Sequence, residues 1–332
     1  MILLRAVAVT VAVWAVSATA APRLDQLQLA TALTLKHNYS RATEVADSLI
    51  AADPKNPDAH LQKAATLFTW VDDFGTTAPF DSSLISELTT AADLAKARLD
   101  TIPDDNWSLF FLGSAELYHG LYLVGRDGFS LSLVSHALSG MDALESAARL
   151  APQLTEPLIP LGSILCWRAT ALSWVPFQSS KRGEGIAMLK RAIDTDTYGR
   201  AGAIQRLAYA LYDDDRFEEA LEVARMGEGE FPQSRFFSQI EARILLAMGQ
   251  YQESDALYNR ILSNLSPTEA ASDFIRMKYM RYLAKSKLLR GENKEACSMC
   301  AEIRSWEYDG VSESWLKPKM RVLSDIEDLA CN

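Results

Sequence analysis

Apolar residues recur along this chain at intervals of three and four, broken by short polar stretches, which is the period of an amphipathic helix and not of a strand. The helical runs come in pairs. Within 201–234, Ala208, Leu211, Phe217, Ala220, Ala224 and Pro232 mark two runs around a tight turn. A shift of 34 residues from the first four finds Ala242, Leu245, Tyr251 and Ser254 in 235–268. Asp215-Arg216-Phe217-Glu218-Glu219-Ala220 and Gly249-Gln250-Tyr251-Gln252-Glu253-Ser254 read as one template of helix, turn and helix. Small residues at its eighth and twentieth places let two antiparallel helices approach, and larger apolar residues around them fill the contact. Proline near the thirty-second place ends the second helix, because it lacks an N–H and clashes with the preceding turn. One such pair cannot bury its own apolar face, so neighbouring pairs must stack.

This template resembles the tetratricopeptide repeat, and the resemblance extends both ways. Leu29-Ala30, Leu33, Tyr39, Ala42 and Pro54 fit a unit at about 23–56, and Leu283-Ala284, Gly291, Ala296 and Cys300 fit another at about 277–310. Between them the units are stretched. Ala64 to Ala92, Gly113 to Gly140 and Gly162 to Gly185 are 28, 27 and 23 residues apart where the template has 12. The extra residues, around 71–86, 120–136 and 172–182, are aromatic or turn-forming and are expected to lengthen helices and form ordered loops. The resemblance therefore implies an all-α solenoid of about six helical hairpins, three lengthened by insertions. Residues 23–200 should be irregular and 201–310 more regular. A capping helix in 311–332 should carry Trp315, Leu316, Met320, Leu323, Ile326 and Leu329 over the last apolar face. Ser173-Trp174-Val175-Pro176-Phe177, Lys181-Arg182-Gly183 and Gly185-Ile186-Ala187-Met188-Leu189 resemble a pattern in exported bacterial repeat proteins, over roughly residues 107–265. That group implies a fold and an envelope location, with no activity attached.

Residues 1–20 break the pattern. Arg5, the apolar stretch from Ala6 to Val16, and Ala18 and Ala20 in A-x-A spacing are the three parts of a secretory signal peptide, cleaved near Ala20. The expected product is 21–332, exported to the periplasm or the exterior. The net charge of −10, or −11 without Arg5, offers no broad footprint for nucleic acid or an anionic membrane. Three of the four cysteines fall at the C-terminal end: Cys297 and Cys300 in a C-x-x-C pair, and Cys331. A redox pair favours a helix N-terminus and a zinc site needs further ligands. A disulfide from Cys297 or Cys300 to Cys331 is expected instead.

Enzyme signatures are sparse: the sequence holds no G-x-S-x-G elbow, Walker loop, H-E-x-x-H or Gly-rich dinucleotide turn. No catalytic residue, metal or cofactor is assigned. His119 and His136, at the two ends of one insertion, could converge on a metal, but are read as exposed or locally hydrogen-bonded histidines. Asp213-Asp214-Asp215, Asp72-Asp73 and Asp104-Asp105 are read as helix caps. The resemblance places the second, fifth, ninth and twelfth positions of each first helix on the concave side. These give Gln205, Tyr209 and Tyr212; Phe236, Gln239 and Arg243; and Lys278, Arg281 and Lys285. Amide, aromatic and basic side chains suit an extended peptide with acidic groups. The expected function is a non-catalytic scaffold that holds a peptide or protein partner in this groove. A small-molecule or lipid carrier with an apolar pocket made by the insertions is the alternative, and a hydrolase using insertion carboxylates the third.

Overall fold

The computed structural model describes residues 24–76, 79–127, 131–171, 178–195 and 197–331. The expected signal peptide lies outside these residues, as do Phe129, Trp174 and Phe177 and the side chains of Leu131 and Leu133, the apolar insertion residues that an apolar pocket or a core cover would use. Among the described residues the regular structure is sixteen helices. They are α1 (Leu24–Leu35), α2 (Tyr39–Ala52), α3 (Pro57–Phe74), α4 (Asp81–Leu99), α5 (Asn106–Asp127), α6 (Leu131–Leu150), α7 (Leu158–Ala171) and α8 (Gln178–Ile193). They continue as α9 (Arg200–Tyr212), α10 (Phe217–Glu230), α11 (Arg235–Ala247), α12 (Tyr251–Ser263), α13 (Pro267–Ala270), α14 (Asp273–Leu289), α15 (Asn293–Arg304) and α16 (Glu313–Ala330). Consecutive helices pack as seven hairpins, with the short α13 before the seventh and α16 after it. The described parts of the first two insertions are mostly helix: α3 to α6 run 18 to 22 residues, against 13 or 14 in α9 to α12.

Local chemistry sets the boundaries. Asn38 and Asn56 cap α2 and α3, with Pro57 opening α3 where its missing N–H is harmless. Ser266 and Glu269 form a capping box around α13. The turn inside four hairpins needs one left-handed residue two places before the second helix. Gly249 and Gly291 supply it at φ of 76° and 78°, and His37 and Asp215 take the same place at 59° and 57°. A non-glycine residue there carries backbone strain. Capping by acidic residues holds for Asp105, which accepts from the Ser108 N–H and hydroxyl. It fails elsewhere. Arg216 at the start of α10 has no side-chain cap bond, and Asp214 pairs with Arg182 at 3.1 Å.

The small residues expected at helix crossings are true close approaches. A methyl at Gly113 would sit 2.7 Å from the Gly140 carbonyl oxygen and 2.5 Å from Leu144 Cγ. A methyl at Gly162 would meet the Gly185 oxygen at 2.7 Å. Gly113→Ala should therefore lower stability by about 1–3 kcal/mol through overpacking, although alanine favours helix. Gly202→Ala, whose added methyl meets nothing within 4 Å, should instead stabilise by about 0.5–1 kcal/mol. Urea unfolding of the two variants separates crossing from propensity.

Cys297 is bonded to Cys331, while Cys300 is a free buried thiol. The bridge ties α16 to α15 across 34 residues. Loop-closure entropy for that length gives about 3–4 kcal/mol, so Cys331→Ser should lose stability of that order in denaturant melts.

The chain does not stay open. One apolar cluster joins Leu67, Val71, Phe111 and Tyr122 of α3 and α5 to Phe274, Trp315 and Leu323 of α14 and α16, bypassing α9 to α12. The α16 helix packs on α5 as well as on α14 and α15. The expected cap is thus also a closing element, and the first hairpins meet the last.

Candidate functional site

Closure rests on a seam of buried charge. Asp73, near the end of α3, is 0% exposed. It accepts from Tyr39 Oη at 2.8 Å, from Lys278 Nζ at 2.8 Å, and from Arg235. Arg235 also pairs with Glu269 and donates to Tyr279 Oη at 3.1 Å. Burial works against every charge here. Even so, Lys278, His37 and Arg235 hold the Asp73 carboxyl well below its ordinary pKa, and Asp73 holds the Lys278 ammonium above its own. Two acids face two bases. The assignment of Asp72-Asp73 to capping is therefore corrected: Asp73 binds α3 to α11 and α14, and Asp72 accepts from the Trp315 indole N–H at 3.1 Å. The signal was two carboxylates inside the otherwise apolar run from Leu67 to Phe74.

His37 stands beside this cluster. Its ring lies 4.5 Å from that of Phe236, Nδ1 meets Tyr39 Oη at 2.9 Å, and Nε2 is buried without a hydrogen-bond partner. Donor atoms of His37, Asp73 and Glu269 fall within 4.8 Å of one another. Arg235 and Lys278 already neutralise the two carboxylates, so the cations held there are side chains of the protein. Burial, partly offset by the Asp73 hydrogen bond, lowers the His37 pKa. The unfolded chain then binds a proton that the folded chain resists, and this contribution to stability is lost as pH falls through about 6.5. His60, raised chiefly by its bond to Glu87, acts with the opposite sign. His37→Asn isolates the first, because asparagine tolerates left-handed backbone. Urea unfolding should show the wild type's advantage over this variant shrinking from about pH 8 to about pH 5.5. A constant difference contradicts the assignment.

The nine residues expected to line the groove lie on α9, α11 and α14, and none is exposed. The closure brings the first hairpins and α16 against part of this face. Lys278, at 6% exposure, is engaged by Asp73, and Phe236 packs on His37. Gln205, Gln239 and Lys285 are half-buried. The remaining four converge. The Arg243 guanidinium lies over Tyr209, Tyr212 and Tyr282, 5.6, 4.9 and 5.6 Å from the ring centres. Arg281, 8% exposed, lies 4.7 Å from the Tyr282 centre and donates to Tyr282 Oη at 3.3 Å. Neither arginine has a carboxylate partner among the described residues, and the Nε of each is buried without an acceptor.

Lys319 of α16 joins them and was missed by the sequence reading. Its ammonium is 5.0 Å from the Phe274 ring and donates to the Trp315 carbonyl at 3.1 Å. Burial, with the charges of Lys278 and Arg281 nearby and Asp72 opposing, pushes its pKa down to about 8. Its place four residues from both Trp315 and Leu323, on the apolar face of its helix, was the available signal. The region around Arg243, Arg281 and Lys319 is thus basic and aromatic in an otherwise acidic protein.

One cavity of about 370 Å³ is lined by Arg41, Glu44, Val45, Asp47 and Ser48, and another of about 170 Å³ by Asp93, Lys96, Glu116, His119 and His136 among others.

Paired helices, a 34-residue register and stacked hairpins define an all-α solenoid with the tetratricopeptide-repeat type of fold. Among solved structures, the human IFIT1 dimer with PPP-AAAA aligns with 87% of this chain at 13% identity and a TM-score of 0.56. This chain spans 59% of the length of that protein. A tetratricopeptide repeat protein from Parabacteroides merdae aligns over 93% of this chain and 98% of its own, at 13% identity and a TM-score of 0.43. A thermophilic TPR protein of Thermus thermophilus aligns over 67% of this chain and 98% of its own, at 17% identity and a TM-score of 0.43. No family model matches the sequence, and no curated protein matches it. No described helix is long and apolar enough to cross a membrane.

Proposed function

We propose that this protein is a non-catalytic binding scaffold that takes an acidic segment of a protein partner at the Arg243–Arg281 face of its closed solenoid. One observation carries the reading: among the described residues neither guanidinium forms a salt bridge, Arg243 having the Asp213 carboxylate in electrostatic reach, while the neighbouring Arg235 and Lys278 are both neutralised. Leaving a buried cation unpaired is unfavourable by several kcal/mol in real proteins, and the tyrosine rings offset only about 0.5–2 kcal/mol per contact. A carboxylate satisfies what remains, because a guanidinium fork binds it through two parallel hydrogen bonds. The converging buried carboxylates that a hydrolase would need, Asp73 and Glu269, are tied up in ion pairs. Export after removal of 1–20 belongs to the same proposal, supported by the Cys297–Cys331 bridge, since disulfides persist in oxidising compartments.

The test is capture of partners by the mature chain, compared with an Arg243→Gln/Arg281→Gln variant of unchanged helix content. An acidic protein retained by the native chain should bind the variant about 10–100-fold more weakly. Equal binding to both, or retention of nucleic acid in place of protein, overturns the proposal.

A further inference from the structure

Two of the four histidines stay outside the closure and outside ordinary packing. His60 uses both ring nitrogens, on Glu87 at 2.6 Å and on the Pro54 carbonyl at 3.3 Å. His37 is enclosed by Tyr39, Phe236 and the charge seam. His119 and His136, 17 residues apart in sequence, are brought together by the α5–α6 hairpin with ring centres 4.4 Å apart.

The surroundings of this pair resemble a ligand set. Glu116, one turn from His119 on α5 and largely buried, meets His136 Nδ1 at 2.5 Å and accepts from Lys96 Nζ at 3.0 Å. A carboxylate on Nδ1 fixes that nitrogen as the proton carrier and leaves Nε2 as a neutral lone pair. His119 has no hydrogen-bond partner among the described residues, and its ring faces that of His136. Both rings line the cavity of about 170 Å³, together with Asp93 of α4, an exposed carboxylate. That volume accommodates an ion with several waters.

We propose that His119 and His136 form a two-histidine binding site for a borderline transition-metal ion such as Zn²⁺ or Cu²⁺, with Glu116 orienting His136 and water filling the remaining positions. Imidazole with water suits these ions, whereas Mg²⁺ and Ca²⁺ require oxygen alone. Lys96 leaves one positive charge near the site, but its pairing with Glu116 neutralises it. The site is separate from the arginine face and does not depend on the partner proposed there.

Cu²⁺ titration of the untagged full chain, read by electron paramagnetic resonance, tests this. One Cu²⁺ per chain should bind with two nitrogen couplings. His119→Gln and His136→Gln should each remove one coupling and weaken binding by at least about tenfold, and Glu116→Gln should weaken it by about 10–100-fold with both nitrogens kept. Zn²⁺ should displace the Cu²⁺ signal, and Mg²⁺ should not. A spectrum without nitrogen coupling, or one unchanged in the His119→Gln/His136→Gln chain, overturns the site.

Discussion

Asp73→Ala should lower the stability of the folded chain by about 3–5 kcal/mol, because removing one partner of a buried ion network leaves the others charged and unsatisfied. The mutation strips Lys278 of its only ion pair among the described residues, leaves Arg235 with Glu269 alone, and leaves the Tyr39 hydroxyl without its acceptor. The loss comes from orphaned charge more than from lost attraction. Replacing Asp73, Lys278 and Arg235 together by apolar residues of similar size should therefore recover most of it. Urea unfolding of the single and triple variants makes the comparison. A single variant within about 1 kcal/mol of wild type would fit an exposed pair and not this seam.

Trp315→Ala should have an effect of similar size, about 3–5 kcal/mol, as is usual for truncating a buried aromatic ring. Trp315 is the contact between α16 and the first half of the chain. Its ring fills the space above Gly125, where an added methyl would lie 2.3 Å from it, and packs 6.4 Å from Tyr122. Its N–H is held by Asp72, and the preceding Ser312 N–H donates to the Gly75 carbonyl at 2.8 Å. Gly125→Ala attacks the same contact from α5 and should also destabilise. Because Asp72 and Asp73 are adjacent, the Trp315 and Asp73 substitutions should be less than additive. Full additivity in a double-mutant cycle would mean that the two ends close independently.

The hairpins were legible because each repeats one small–large pattern, and glycine pairs such as Gly113 and Gly140 mark the crossings directly. Helix extension through the insertions was legible too, since those segments keep the apolar period. Closure was not. It depends on contacts such as Arg235 with Asp73 and Lys278 with Asp73, separated by 162 and 205 residues, which no local period encodes. The period of α9, α11 and α14 therefore gives no sign that the first hairpins and α16 pack against part of their shared side. A clue did exist in His37, which takes the left-handed turn position held by Gly249 and Gly291 in other hairpins. A strained imidazole in a glycine's place points to a side chain needed there.

Closure is tested most directly by a distance between spin labels at Thr76 and Glu313, which flank the Gly75–Ser312 hydrogen bond joining α3 to α16. Pulsed dipolar spectroscopy on the native chain should give one short, narrow distribution, which lengthens and broadens in Asp73→Ala. A long or broad distribution in the native chain would contradict a closed solenoid, and with it the buried arginine face on which the proposed function rests.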